Sequence, residues 1–543
     1  MKLEQRRQLF EKISTIKFDV IIIGGGITGS GIIRDTTKRG LKSLLVEKND
    51  FSSGTSSKTG KLIHGGLRYL EHAQLKLVFE SCMERHRILK IIAPHIVKPT
   101  KFIFPFFKSS KHPRWFVALG LFIYDLLSLF RNINNFKFIS KKEIHNMEPN
   151  LQKLGSIGAL SYFDCTAIDT RLTIDTIKSA SEEGADIFSY TEVKNINFSN
   201  TGGALVNIFD RIDQREYEIE TKTIINATGV WADEIINMAK LKSNFNLKMT
   251  SGIHLIFAKD KIPVNNTITF ESIDDKRPLY IVPWNNFIIL GTTDKFYDSD
   301  KDNLSTHKNE IDYLLAALNH YFPNLSIEFS DILNITIGIR PLIGSSSDKK
   351  ESQVSRDYEI IMSPKGMLSI TGGKLTTYRH MAEKIVDKLI YNFFPAKKLN
   401  PCSTISPISG GNIHKLCFDR LNKIYSINHN ILEKLVNRYG QNAIKILDLA
   451  KEHPEKLSVI DDNLPYLWAE LEYITNEEHI EKLSDIFCRR TLISFTNPVL
   501  NDTSLNKIGT FVGSLKGWSE NKTKNEIKTY LEYINSTIKW IRP

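Results

Sequence analysis

The stretch that most constrains this chain is Lys17–Asp50, KFDVIIIGGGITGSGIIRDTTKRGLKSLLVEKND. It reads as strand, glycine turn, helix and strand. Phe18 to Ile23 is a short β-branched run, the composition of a parallel strand buried on both faces. Gly24, Gly26 and Gly29 then form G-x-G-x-x-G at the head of the next helix. In that spacing the first glycine permits a tight turn. The second lets a pyrophosphate approach the backbone, and the third lets the helix lie close to the sheet. Free N–H groups and the helix dipole favour an anion at this end. Gly40 suits the helix C-cap, and Leu41–Val46 is the second strand. Glu47 ends it, where an acid hydrogen-bonds a ribose hydroxyl and repels a 2′-phosphate. The unit predicts a dinucleotide site that is not built for NADP.

The 543 residues leave room for two or three domains, and 41% hydrophobic with 24% charged residues is ordinary for a globular protein. Cys82, Cys165, Cys402, Cys417 and Cys488 are scattered, with no C-x-x-C or His-rich spacing. Neither a disulfide framework nor a metal site is expected, and a reducing compartment fits. The N-terminal residues are charged and lack the apolar core of a secretory signal. A net charge of +11 points to an anionic partner (a phosphorylated substrate, acidic lipid or nucleic acid) or to a lysine-rich solvated surface. With no zinc-finger or RRM signature, nucleic acid is not expected.

Phe51 to Gly66 is a Ser/Thr/Gly loop that follows the second strand and passes the cofactor's phosphates and ring. Ser56, Ser57 and Lys58 or Lys61 are its candidate pyrophosphate contacts. His64-Gly65-Gly66-Leu67-Arg68-Tyr69-Leu70 follows. Gly65 and Gly66 permit close backbone approach to a flat ring, and Arg68 is a natural anion partner. Gln74 to Ile92 has helical periodicity. Trp115 to Phe130 is the most apolar stretch, 16 residues interrupted by Asp125 and flanked by Lys108, Lys111, Arg114 and Arg131. It is shorter than the roughly 20 residues that span a bilayer. Two readings compete: a buried helix, and a helix or hairpin dipping into one leaflet with its basic residues on acidic lipid. In the second reading the C-terminal segment, with aromatics beside Lys539 and Arg542, joins it.

Asp169 to Glu183 reads as a helix, Ala185–Val193 as a strand, and Thr223 to Gly229 as a strand ending in a small-residue turn over the cofactor's adenosine half. Between Ser251 and Thr293 the pattern becomes short β-rich runs, an antiparallel sheet that suits a substrate-covering domain. Arg340 follows the strand-like run from Ile335. Met367 to Arg379 repeats the strand–glycine–helix logic, with Gly372-Gly373 and then Lys374 at the turn, a second anion or ring-edge site. After Pro401 the chain reads as helical, with Thr475/Glu478 and Thr523/Glu526 spaced as capping boxes.

The segments SSKTGKLIHGGLRYLEH, GLFIYD, NATG, VPW, IILGTTD, GIRPL, SRDY and TGGKLTTYR occur in this order. They resemble the FAD-dependent glycerol-3-phosphate dehydrogenases, membrane-associated bacterial respiratory enzymes. The resemblance runs from about residue 17 to 380. It continues more weakly through Ala469-Glu-Leu-Glu and Arg489-Arg490-Thr491. It implies FAD, the oxidation of sn-glycerol 3-phosphate to dihydroxyacetone phosphate, and electrons passed to membrane quinone. It places the protein in the bacterial cytoplasm, peripheral on the inner face of the cytoplasmic membrane and on acidic lipid, and leaves a homodimer open. The nearest rival is a glycerol-3-phosphate oxidase that uses oxygen and forms hydrogen peroxide. An amine or amino-acid oxidase is more distant, because the cationic set suits a phosphate.

The fold expected is α/β: a Rossmann-like FAD-binding domain (17–95, 150–245 and 335–395), an antiparallel substrate-covering domain (96–149 and 246–334, with 115–130 touching the membrane) and a C-terminal helical domain (400–543). By the resemblance, Arg68, Tyr69, His254, Arg340, Lys374 and Thr376 line the substrate site. Arg68, Arg340 and Lys374 bind phosphate or stabilise the developing alkoxide and reduced flavin. The proton acceptor is His64 or His254. The cofactor set is Gly24, Gly26, Gly29, Glu47, Ser56, Ser57, Lys58, His64, Gly65, Gly66, Val193, Gly229, Gly338, Gly373, Lys374, Leu375 and Thr376. One departure stands out. The family pattern leads one to expect a lysine or similar residue just before the glycine preceding His254, where this chain reads Thr250-Ser251-Gly252-Ile253-His254. No EF-hand loop is present, so calcium control is not expected.

Overall fold

The computed structural model describes residues 2–538 apart from 109, 111, 243–246, 344–356, 462–463 and 497–499. Lys539, Arg542, Lys111 and the Ser355-Arg356 pair of the SRDY motif lie outside the described residues.

Among the described residues two large sheets dominate. In the first, Lys17–Ile23 is central, with Ser43–Val46 parallel on one side and Arg215–Asn226 parallel on the other. Asp186–Phe188 and Met367–Gly372 extend it in parallel, and Tyr358–Met362 closes one edge antiparallel. All five parallel strands therefore end on the same edge, where open α/β sheets bind ligands. The helix Ile27–Lys38 lies on one face, against Asp169–Glu182 and Tyr378–Phe393. Its third glycine shows why: a Cβ at Gly29 would stand 1.9 Å from the Gly24 carbonyl oxygen. Thr191–Phe198, Ala204–Asp210 and the first half of Arg215–Asn226 form an antiparallel meander at the far end.

The second sheet is mostly antiparallel, as the alternating runs predict. Leu247–Ala258 pairs along ten residues with Asn334–Ile343 and also with Phe287–Gly291. The sheet is larger than expected. Leu62–Ile63, Val97–Phe106, Gly158–Ala167 and Asn334–Ile343 all belong to it, although the expected partition put most of these in the first domain. The chain shuttles between the sheets, so domain limits do not follow the linear change in pattern.

The C-terminal part is helical with one small hairpin, Val459–Asp461 with Leu464–Leu467. Buried ion pairs tie it to the first sheet. Arg490 and Arg489 both engage Asp50, and Arg171 binds Glu478 at 2.7 Å. The N-terminal helix Leu3–Ser14, absent from the reading of the sequence, inserts Arg6 between Asp210 and Glu481. The two expected capping boxes are not caps. Thr475 and Thr523 sit inside helices and donate to the carbonyls of Leu471 and Ser519, while Glu478 and Glu526 serve tertiary contacts. A Ser/Glu box that the structure does hold is Ser140 with Glu143.

The apolar helix, Arg114–Leu127, is not a buried helix. Ala118, Leu121, Tyr124 and Asp125 face inward, while Trp115 (68% exposed), Phe116, Leu119, Phe122 (51%) and Leu126 form an outward stripe continued by Leu129 and Phe130. Asp125 accepts from the Phe136 N–H and the Asn132 amide, so it closes the following loop. No helix among the described residues is long and apolar enough to cross a membrane.

Candidate active site

Two adjoining cavities open at the shared edge of the sheets. The first, about 240 Å³, runs along the strand ends. Gly24, Gly26, Glu47, Ser56, Val193, Gly229, Gly373, Lys374 and Leu375 line it. Glycine turns shape its wall beside Glu47, Ser56 and Trp231. Gly24 has φ +110°, and a Cβ there would meet the Ala227 carbonyl oxygen at 2.7 Å. Gly373 has φ +80°, with Met381 Sδ 2.4 Å from where its Cβ would be. Side chains at either glycine would close the cradle. Asn226 supports the neighbouring turn by accepting from Thr228 Oγ1 at 2.7 Å and donating to the Ala232 carbonyl.

Glu47 and Ser56 have work within the protein. Glu47 accepts from the Gly25 and Asn49 amides at 2.7 and 2.8 Å, so it braces the glycine turn while facing the cavity. Burial pushes its pKa up against those two amides. Ser56 Oγ accepts from the Ile27 N–H at 2.9 Å, capping the glycine-turn helix from a distant loop. Trp231 Nε1, buried in the same wall, has no hydrogen-bond partner among the described residues.

The second cavity, about 280 Å³, shares Thr55, Thr59, Pro341, Gly373, Lys374 and Leu375 with the first. Side chains build it. Arg68, Tyr69, His254, Arg340, Lys374, Thr376 and His64 all line it, although they come from four separate segments. Gly66 turns with φ +82°, leaving room for the Tyr69 ring, whose Cδ2 lies 2.4 Å from the position of an added Cβ. Lys374 Nζ stands 3.6 Å from the centre of that ring. Thr376 Oγ1 accepts from the His64 N–H at 3.1 Å and donates to its carbonyl, joining the two glycine-rich turns.

Arg340 bonds Thr292 Oγ1 at 2.9 Å and Asp294 at 3.0 Å. Its guanidinium lies over Gly252, where a Cβ would meet Nη2 at 2.4 Å. The stretch that departs from the family pattern is thus shaped around this arginine. His254 rests against Gly291 and Gly60, and its Nδ1 has no hydrogen-bond partner among the described residues. Burial, then Arg340 and Lys61, pulls its pKa down to about 3, so the imidazole is neutral. Lys61 itself is buried on Asp169 at 2.5 Å.

Three residues of the expected cofactor set line neither cavity. Gly29 packs helix on sheet. Ser57 donates to the Gly54 carbonyl. Gly65 gives its N–H to Tyr124 Oη at 2.9 Å and to Asp164, and an added Cβ would lie 2.3 Å from that hydroxyl. It packs against a buried Arg85–Tyr124–Asp164 cluster, while Gly66 faces the cavity. Lys58 and Gly338 line the second cavity and not the first, so Lys58 does not reach the glycine-turn end. The sequence reading also missed Arg277, which lines the second cavity beside Asp294. It sits in Asp274-Asp275-Lys276-Arg277, which reads as a solvated charged turn, and the one signal was the apolar strand directly after it.

A family model for FAD dependent oxidoreductases matches residues 19–379, and one for the C-terminal domain of alpha-glycerophosphate oxidase matches 402–523. The chain is 36% identical over 499 residues to an aerobic glycerol-3-phosphate dehydrogenase of Staphylococcus haemolyticus, covering 90% of this chain and 88% of that one. A Bacillus halodurans glycerol-3-phosphate dehydrogenase solved with FAD superimposes with a TM-score of 0.80 at 27% identity, covering 98% of both chains. An L-alpha-glycerophosphate oxidase of Mycoplasma pneumoniae, with TM-score 0.56 at 19% identity, covers 72% of this chain and 99% of its own, and shows the fold alone. The orphaned Trp231 Nε1, the glycine cradle and the continuity of the two cavities suit a long flavin dinucleotide. With its strand-edge cradle, its cationic second cavity and these relatives, the chain belongs to the FAD-dependent oxidoreductases, in the branch of the glycerol-3-phosphate dehydrogenases.

Proposed function

We propose that this chain oxidises sn-glycerol 3-phosphate to dihydroxyacetone phosphate and passes the electrons to a membrane quinone. The observation that carries the reading is the charge of the second cavity: among the described residues Lys58, Arg68, Arg277, Arg340 and Lys374 line it, with Asp164 and Asp294 as its acids. A phosphate dianion suits that excess, and a cationic amine does not. FAD, when bound, supplies the hydride acceptor. Gly24, Gly26 and Glu47 hold its adenosine end, and Gly373, Lys374 and Leu375 stand where the two cavities meet. Arg68, Arg340 and Lys374 bind the phosphate or steady the developing alkoxide. His254, neutral and with an unpartnered Nδ1, takes the hydroxyl proton, with His64 the other candidate. A bound dianion offsets Arg340 and makes His254 a better base than it is in the empty cavity.

The exposed stripe of Arg114–Leu127 is the docking face for an acidic lipid surface, placing the enzyme peripherally on the inner face of a bacterial cytoplasmic membrane. Lys108, Arg131 and Lys137 are exposed beside it, and Arg114 lies over the Phe106 and Phe138 rings. Apolar area flanked by basic residues suits that interface.

The acceptor and the surface are tested together. Flavin reduced without oxygen is exposed to quinone in anionic vesicles or to air. Rapid reoxidation by quinone and slow reoxidation by air support the proposal; rapid reoxidation by air with peroxide formed means an oxidase. Replacing Phe122 and Leu126 by aspartate releases folded protein from vesicles. Undiminished vesicle binding by that folded variant removes the docking face.

A further inference from the structure

We propose that Arg277 is a further anion-binding arginine of the substrate cavity, beside Arg68 and Arg340, and that Asp294 positions it together with Arg340. The inference rests on the glycerol 3-phosphate reading and names a contact that reading lacks. Arg277 leaves a turn closed on itself. The Ser272 N–H donates to the Arg277 carbonyl at 2.8 Å, and the Arg277 N–H donates to Ser272 Oγ and Asp275, each at 3.2 Å. The turn leads into Pro278–Trp284, so the base of the side chain is fixed by the sheet.

Asp294 follows the neighbouring antiparallel strand, Phe287–Gly291. Its carboxylate is 1% exposed and divides between two guanidiniums: one oxygen lies 3.0 Å from Arg340 Nη1, and the other engages Arg277 Nη2. Thr293 locks this turn, accepting from the Ile253 N–H and donating to Glu310 at 2.7 Å. Both arginines line the same cavity wall. Sharing one buried acid holds two planar forks in place before a ligand arrives, the arrangement that bidentate recognition of a phosphate monoester uses.

The test uses the full-length, flavin-loaded enzyme with glycerol 3-phosphate, with glycerol as the substrate lacking the charge, and with inorganic phosphate as inhibitor. In Arg277→Gln the KM for glycerol 3-phosphate rises at least about tenfold, more than kcat falls, and phosphate inhibition weakens in parallel. The preference for glycerol 3-phosphate over glycerol falls by a similar factor. Asp294→Asn weakens binding and lowers kcat together, because it also loosens Arg340. If Arg277→Gln does not accumulate as folded protein, Arg277→Lys carries the test, with an expected KM rise of roughly three- to tenfold because a point charge replaces a fork. An unchanged KM and phosphate inhibition in a flavin-loaded variant overturns the proposal. So does an equal loss with both substrates, which marks a structural strut. Wild-type enzyme that glycerol 3-phosphate fails to reduce would instead defeat the substrate reading itself.

Discussion

The two cavities are built from different materials. The first is shaped by glycine turns at the ends of parallel strands. The second is side chains, brought together from residues 58–69, 254, 277–294, 338–342 and 373–376. The difference decides what each tolerates. A backbone cradle fails when an atom is added, because its clearances are below contact distance. A side-chain cavity fails when a charge is removed, because its shape survives but its field does not.

The sharpest way to break this comparison is at Gly29. Its added Cβ would sit 1.9 Å from the Gly24 carbonyl oxygen with no flexible group to yield. Gly29→Ala purifies without flavin and with a stability loss of about 3 kcal/mol, at the upper end of overpacking costs; flavin absorbance and thermal melting check both. Next is Arg340→Ala, which keeps its flavin yet loses at least about tenfold in kcat/KM, since a charged hydrogen bond contributes roughly 1.5–3 kcal/mol. Steady-state kinetics with a flavin count separates the two cavities in one variant.

His254 sharpens the comparison through pH. Its pKa of about 3 in the folded protein lies below the ordinary 6.5. The unfolded chain therefore takes up a proton as pH falls through 6.5, and the native site resists until about 3. Stability is lost over that window, on the order of 1 kcal/mol per pH unit. His254→Gln removes this component, so melting temperature declines less steeply than in the wild type between about pH 6 and 4. Parallel curves would place the imidazole in a more solvated setting. The smallest effect belongs to Ser57→Ala: outside both cavities, it leaves flavin content intact and kcat/KM within about twofold.

The same contrast explains what the sequence made legible. Strand–glycine–helix turns are local, so the glycines, Glu47 and the second turn at Gly373 could be placed on the page before any fold was known. That Arg68, His254 and Arg340 share one cavity could be expected only through motif order and resemblance, because no local rule brings them together. Where local reasoning was applied to non-local contacts it misled. Gly65 looked like a ring-facing glycine but is claimed by Tyr124, 59 residues further along the chain on the helix Arg114–Leu127. Thr475 and Thr523 had capping spacing, yet their acids were taken by Arg171 and the Leu483 amide. Arg277 was hidden by its charged neighbours. The exposure of Phe122 and Leu126 depends on which face of a short helix meets Val97–Phe106 and Gly158–Ala167, which periodicity in so apolar a stretch does not resolve.

The central claim is that a cationic side-chain cavity delivers a phosphorylated alcohol to the end of a backbone-built flavin cradle. It is tested most directly by mixing the purified flavin-loaded protein with glycerol 3-phosphate without oxygen and following the flavin band. Saturable bleaching by glycerol 3-phosphate, with little bleaching by the same concentration of glycerol, is the expected result. A folded, flavin-loaded protein whose band neither substrate bleaches, or that glycerol bleaches equally well, would contradict the account.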